Sequence, residues 1–253
     1  MKSLTTFLLT ITLMVGTAYT FAQSNPIVKA DSIEVVEPQL SGFNSIKIAG
    51  PFTVHIIQGA TESVKLEVPV DVKGRITAKV TGGILKIHNA HDNWSQGYKS
   101  WYSDKSVWRH HKKIVVYITV KDLKRLNISG SGDATFDEGI AANSLKLTVR
   151  GSGHMLGKIE VKTLESHVSG SGSIKLSGRA ENSAVKVTGS GHFIARDLIT
   201  LNSAVHVSGS GKAEVNASEK VNAAVYGSGD VHYSGTVKAV KKTKSGSGEI
   251  SSF

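Results

Sequence analysis

The chain has 253 residues, 40% of them apolar, with 26 glycines, four prolines, no cysteine and a formal net charge of +10. That length allows one large or two small domains with a real core, and the apolar content argues against bulk disorder. The missing cysteines exclude disulfides, thiolate metal sites, thiol catalysis and lipid attachment through cysteine.

The chain starts with Met1 and Lys2, an apolar run from Leu4 to Val15, and then Gly16-Thr17-Ala18-Tyr19-Thr20-Phe21-Ala22-Gln23. A short positive start, an apolar stretch and a small residue before a polar one predict a secretory signal over residues 1–22, cleaved after Ala22. The run is short for a membrane span, which needs about 20 residues, and no second one follows. The processed chain is therefore expected to lack a transmembrane segment and to be exported to the periplasm, the outer surface or the medium. Residues 23–40, with Pro26 and Pro38, read as a leader or linker.

Residues 41–125 read as an irregular β region. Ile46 and Ile48 alternate with polar neighbours, as do Phe52, Val54 and Ile56, and Val64-Lys65-Leu66-Glu67-Val68 and Ile84-Leu85-Lys86-Ile87 look like further strands. Ile114 to Val120 reads as a more deeply buried strand. Between the last two lies residues 88–113, without periodicity but holding all three tryptophans and four of the ten histidines.

From residue 126 onward a repeat dominates. Gly-Ser-Gly begins at Gly130, Gly151, Gly170, Gly189, Gly209, Gly227 and Gly246, in steps of 18 to 21 residues. Two residues before the triplets stand Ile128, Val149, Val168, Val187, Val207 and Val225, with Lys244 the exception. Two residues after them stand Ala134, Met155, Ile174, Phe193, Ala213, Val231 and Ile250. Apolar residues at alternate positions describe strands with one inward face. The triplets mark bends, where glycine tolerates backbone angles that a Cβ forbids.

The expected fold is an all-β, single-stranded parallel β-helix or solenoid with turns of about 19 residues, each turn burying its face on its neighbours. Residues 41–253 should form one unit, with the repeat solenoid over 126–253 and a frayed or capping turn from Lys244 to Phe253. All four prolines precede residue 70, which fits a repeat region whose amides are committed to ladders. Stacking would line up Ser131, Ser152, Ser171, Ser190, Ser210, Ser228 and Ser247, whose hydroxyls can donate and accept. A second ladder is suggested by Asn182, Asn202 and Asn222.

Three stretches before the repeats carry a family resemblance: residues 42–48 (Gly-Phe-Asn-Ser-Ile-Lys-Ile), residues 50–59 (Gly-Pro-Phe-Thr-Val-His-Ile-Ile-Gln-Gly) and residues 83–87 (Gly-Ile-Leu-Lys-Ile). Together with residues 127–133 (Asn-Ile-Ser-Gly-Ser-Gly-Asp), this ordered set resembles the putative auto-transporter adhesin, head GIN domain family of bacterial envelope proteins. The resemblance spans residues 41–235 and implies a β-solenoid in a Bacteroidetes-type envelope context. It supplies no catalytic motif. Some relatives look lipid-anchored, which this cysteine-free chain cannot be.

Candidate chemistry falls in three places. Trp94, Tyr98, Trp101, Tyr102 and Trp108 in the 88–113 insert offer ring faces for sugar or protein, although the same residues would also serve to cover an open solenoid end. His88, His91, His110 and His111 are weak metal candidates, because the two pairs lack a spacing that converges them. The positions after the triplets (Asp133, His154, Ser173, His192, Lys212, Asp230 and Glu249) hold neighbouring carboxylates only at Asp230 and Glu249, a thin basis for glycoside hydrolysis.

Dinucleotide, P-loop and calcium-repeat readings fail on spacing. No cofactor is expected. Positive charge concentrates in Arg109-His110-His111-Lys112-Lys113 and in Lys238, Lys241, Lys242 and Lys244, and export demotes nucleic acid as its partner. The sequence thus favours a non-enzymatic exported envelope or surface protein that binds a glycan or a host or envelope protein. A structural or assembly role in the envelope and a carbohydrate-active enzyme on a β-helix are the alternatives.

Overall fold

The computed structural model describes residues 32–70, 72–90 and 113–253. Six short strands come first: β1 (Ile33–Val36), β2 (Ser45–Ala49), β3 (Phe52–Gln58), β4 (Ser63–Pro69), β5 (Ile76–Thr81) and β6 (Ile84–Asn89). After residues 91–112 follow β7 (Ile114–Val120) and β8 (Arg125–Gly130). Five long strands then carry the repeats: β9 (Asp133–Gly151), β10 (His154–Gly170), β11 (Ser173–Gly189), β12 (His192–Gly209) and β13 (Lys212–Gly227). The chain ends with β14 (Asp230–Ser234), β15 (Ala239–Ser245) and β16 (Ile250–Ser252).

Each long strand is one coil of a parallel β-solenoid, paired in parallel with the coil before and the coil after. Alternation of buried and exposed side chains breaks ahead of the trailing part of each coil, at consecutive exposed pairs such as Lys162-Thr163, Glu181-Asn182 and Leu201-Asn202, and β9 and β12 have an earlier irregularity at Asp137-Glu138 and Arg196-Asp197. At the trailing break the chain passes without glycine and the inward parity switches. Every coil therefore has two arms, one after the triplet and one before the next, and the molecule has two sheet faces around a single core.

The N-terminal region completes both faces in an order different from the sequence. On the first face the strands run β1, β4, β7, β3 and then the leading arms of β9 to β13, β14 and β16. On the second they run β5, β6, β2, β8, the trailing arms of β9 to β13, and β15. The coil formed by β2 and β3 is thus inserted between coils that come later in the chain. Strands β1, β4 and β5 pair antiparallel, so the coil at this end gives way to hairpin-like strands.

The seven triplets stack in one edge column, and each first glycine, from Gly130 to Gly246, has φ between +99° and +118°. Each second glycine is buried against the corner beneath it. A Cβ on Gly170 would lie 2.5 Å from the Gly151 carbonyl oxygen, and one on Gly172 would lie 2.3 Å from that of Gly153. Glycine is needed here both for its backbone angle and for its missing side chain. The coil of β2 and β3 turns at Gly50-Pro51 instead, with Gly50 at φ +131° directly beneath Gly130.

The seven serines are exposed at this edge. What links the corners is backbone. The Gly130 carbonyl accepts from the Ser152 and Gly153 amides at 2.9 and 3.1 Å, and the Gly151 carbonyl accepts from those of Ser171 and Gly172 at 2.9 Å each. Among the described residues no hydroxyl of the column bonds to another. The asparagine ladder is shorter than its spacing suggests. Asn202 Nδ2 donates to Asn182 Oδ1 at 3.0 Å, but register shifts in β12 place Lys220 opposite Asn202 and move Asn222 opposite Ala204.

The core runs the length of the solenoid, from Phe43 and Ile48 to Val225 and Val231. Volumes alternate along its columns: Phe136 of β9 is in register with Gly157 of β10, where an added Cβ would lie 2.0 Å from the ring. At the far end β15 places Val240, Lys242 and Lys244 over Val221, Ala223 and Val225. Lys242 Nζ donates to the Ile250 carbonyl at 3.0 Å and lies 5.2 Å from the Tyr233 ring, so its stem crosses the open core end while its charge reaches polar ground. Lysines on this edge strand also oppose pairing with a further chain.

Two expectations follow. Gly170→Ala and Gly172→Ala should each lower the unfolding free energy by more than about 2 kcal/mol in chemical denaturation, while Ser171→Ala should stay within about 0.5 kcal/mol. The Ser183 and Ser203 hydroxyls are buried, adjacent in register and without a hydrogen-bond partner. Replacing both with alanine should leave the denaturation midpoint unchanged or raise it, since an unsatisfied buried hydroxyl opposes folding.

Candidate functional site

Trp94, Tyr98, Trp101, Tyr102, Trp108, His91, His110 and His111 lie outside the described residues. The anchors of their segment are clear. It leaves after β6 and returns at β7, and these strands are in register with β2 and β3, which are joined by the Gly50-Pro51 corner. The aromatic insert therefore springs from the glycine edge, one coil before the corner column begins. His88 remains on β6, with Nδ1 2.8 Å from the Asn89 carbonyl oxygen. Among the described residues no three His, Asp or Glu side chains converge as a metal site.

The post-triplet positions do form a column on the first face, with Asp133, His154, Ser173, His192, Lys212 and Asp230 on successive coils. Its chemistry is that of a ladder. Asp133 Oδ1 accepts the His154 backbone N–H at 3.1 Å, and Asp230 Oδ1 accepts that of Glu249 at 2.9 Å. Asp133, His154 and Ser173 have the composition of a hydrolytic triad, and His154 Nδ1 lies 2.8 Å from Ser173 Oγ. The aspartate, however, is committed to the backbone and not to the imidazole ring, so it does not orient a base. Two further histidine–hydroxyl contacts of 2.8 and 2.9 Å, His55 with Thr135 and His232 with Ser251, repeat the motif along the same face.

One carboxylate on this first face is shared by two cations. Glu214 accepts from Arg196 at 2.6 and 3.1 Å and pairs with Lys212 at 2.9 Å. Burial opposes ionisation of Glu214, but the Arg196 and Lys212 hydrogen bonds outweigh it and hold the carboxyl below its ordinary value of 4.5. A depression of about 410 Å³ lies near the N-terminal end between Glu37–Leu40, Glu62–Lys65 and Tyr117.

The second face differs. Its outward positions, read across the register from β5 to β11, carry Lys79, Lys86, Lys47, Arg125, Lys146, Arg150 and Lys186. The acidic residue among them is Glu165, which pairs with Lys146. Three of the lysines are direct neighbours, Lys79 opposite Lys86 and Lys86 opposite Lys47. Like charges set opposite each other in a sheet destabilise it. Burial lowers the Lys47 pKa from 10.5, and the charges of Lys86 and Arg150 lower it further. His167, at the centre of the face, is pushed below 6.5 by partial burial and by Lys186, Arg150 and Lys146, against an opposing pull from Glu165.

Sequence reading located positive charge at residues 109–113 and 238–244 and missed this patch. Its members are scattered from Lys47 to Lys186 and meet only through coil register. The signal that could have found it is basic residues recurring at odd offsets before the triplets, as at Lys146, Arg150 and Lys186.

A depressed histidine pKa means that the unfolded chain binds more protons in that range. The His167 contribution to stability is therefore complete above pH 6.5 and is lost as pH falls through the folded-state value. Nuclear magnetic resonance titration should place the His167 midpoint below 6.5, and Lys186→Gln should move it upward.

The solenoid recurs in solved structures. A putative adhesin from Bacteroides fragilis matches with a TM-score of 0.76 and 22% identity, covering 88% of this chain and 97% of its own. A putative adhesin from Parabacteroides distasonis matches at 0.69 and 23% identity, covering 89% and 99%. A putative lipid binding protein from the same species matches at 0.66 and 22% identity, covering 87% and 96%. At these identities the likeness establishes the fold. Comparison with curated protein sequences finds no match. The family model for the putative auto-transporter adhesin, head GIN domain, matches residues 42–237, so the chain belongs to that family.

Proposed function

We propose that this chain is an exported, non-enzymatic binding module of the bacterial envelope, held at or beyond the outer surface. Family membership supports an adhesin-like role, and the signal-type layout of residues 1–22 supports export. The observation that carries the reading is the contrast between the two faces of one rigid solenoid. On the first, Glu214 is held between Arg196 and Lys212, while the second gathers like charge at neighbouring positions. A fold that keeps such repulsion on an outward sheet face has a use for it in recognition. The hydrogen-bond commitments of Asp133 and Asp230 to backbone amides speak against a catalytic column.

An assembly role would use the coil ends as docking edges. The C-terminal edge carries Lys241, Lys242 and Lys244 on a fully exposed strand, and such charge opposes strand addition. The surface-binding reading is therefore preferred.

Protease treatment of intact cells tests it. The protein should disappear from intact cells at protease levels that leave periplasmic markers whole, and a strain lacking it should adhere less to its natural surface. Full protection on intact cells, with digestion only after outer-membrane lysis, would place the protein inside and overturn the reading.

A further inference from the structure

We propose that the second face binds an acidic polysaccharide, a carboxylated or sulfated sugar chain laid along the solenoid axis. This rests on the surface-binding reading above and names its ligand class. Basic side chains stand on each strand of the stack from β5 through β6, β2, β8 and β9 and again on β11, with Glu165 and His167 on the intervening β10. Cationic groups therefore recur along the axis at the sheet spacing of about 4.8 Å, or at twice that across β10, on the scale of one or two sugar units. Between them outward positions carry hydrogen-bonding groups in register, with Ser129, Arg150, Ser169 and Thr188 forming one row and Asn127, His167 and Lys186 in the next, where Thr148 is buried. A polymer bearing both charge and hydroxyls finds partners for each on this grid.

The same features distinguish the occupant from other polyanions. Among the described residues, the large exposed apolar side chains on this face are Tyr226 and Val240, on β13 and β15 beyond Lys186 of β11, so the basic region has no wedge for lipid hydrocarbon. Among its described residues the basic region carries no aromatic platform on which nucleotide bases would stack. The patch is built by sequence-distant residues held in fixed register by the coils, so its charge pattern is set before any ligand arrives, which favours a regular linear polymer.

The test uses the purified processed chain, so it does not depend on where cells place the protein. Binding to polygalacturonate is compared with binding to dextran, to phosphatidylglycerol vesicles and to duplex DNA. Two variants remove equal charge: Arg150→Gln with Lys186→Gln on the second face, and Lys158→Gln with Lys175→Gln on the first. The expected results are salt-sensitive binding to polygalacturonate, none to dextran, and a loss of at least about tenfold in the second-face variant against less than about twofold in the first-face one. Thermal melting of both variants within a few degrees of the parent confirms that folding is intact.

Equal losses in the two variants would show that net charge alone acts and would overturn the proposal. So would vesicles or DNA binding as tightly as the polysaccharide. Failure to bind polygalacturonate and a sulfated counterpart, heparin, in a protein shown to be surface-exposed and needed for adhesion, would sink this inference and leave the surface-binding reading standing.

Discussion

The structure depends on the contact between the first-glycine carbonyl of one corner and the amides of the next. That oxygen accepts from the serine and, in several coils, the second glycine above it, as at Gly130, Gly151 and Gly209. The geometry exists only because the backbone there adopts positive φ and no Cβ intervenes. Once corners stack in this way, every residue is fixed relative to its counterpart one coil away. Core columns, polar ladders and surface charge rows are all consequences of that register.

Register also converts sequence-distant residues into surfaces. Asp133 meets the His154 amide, Phe136 fills the room left at Gly157, and Lys47 meets Lys86, although 39 positions separate the last two in the chain. In a solenoid without disulfides, stability is a sum over such neighbouring-coil contacts, and the ends need closure. Antiparallel strands provide it at one end, and the stem of Lys242 provides it at the other.

Much of the architecture was legible because it is written in local alternation and glycine spacing. The apolar positions flanking each triplet are core columns, and the serines share one exposed edge. The insertion of β2 and β3 between later coils was not legible, because nothing local in Gly50-Pro51 records which strand will stack on it. Asn222 misled for a related reason: its 20-residue spacing ignores the irregularities in β12 that shift it two places from the ladder. The basic face escaped notice because no window of sequence contains it. The aromatic insert was visible as composition, and the fold adds that its ends meet at the glycine edge.

Amide hydrogen exchange on the processed chain tests the corner account most directly. The Ser152, Ser171, Ser190, Ser210 and Ser228 amides, each bonded to a glycine carbonyl one coil below, should be among the slowest to exchange and should open with the global unfolding free energy. Their protection should fall only toward the exposed strand β15. Corner amides exchanging as fast as those of β15, while the arms on either side stay protected, would contradict the account.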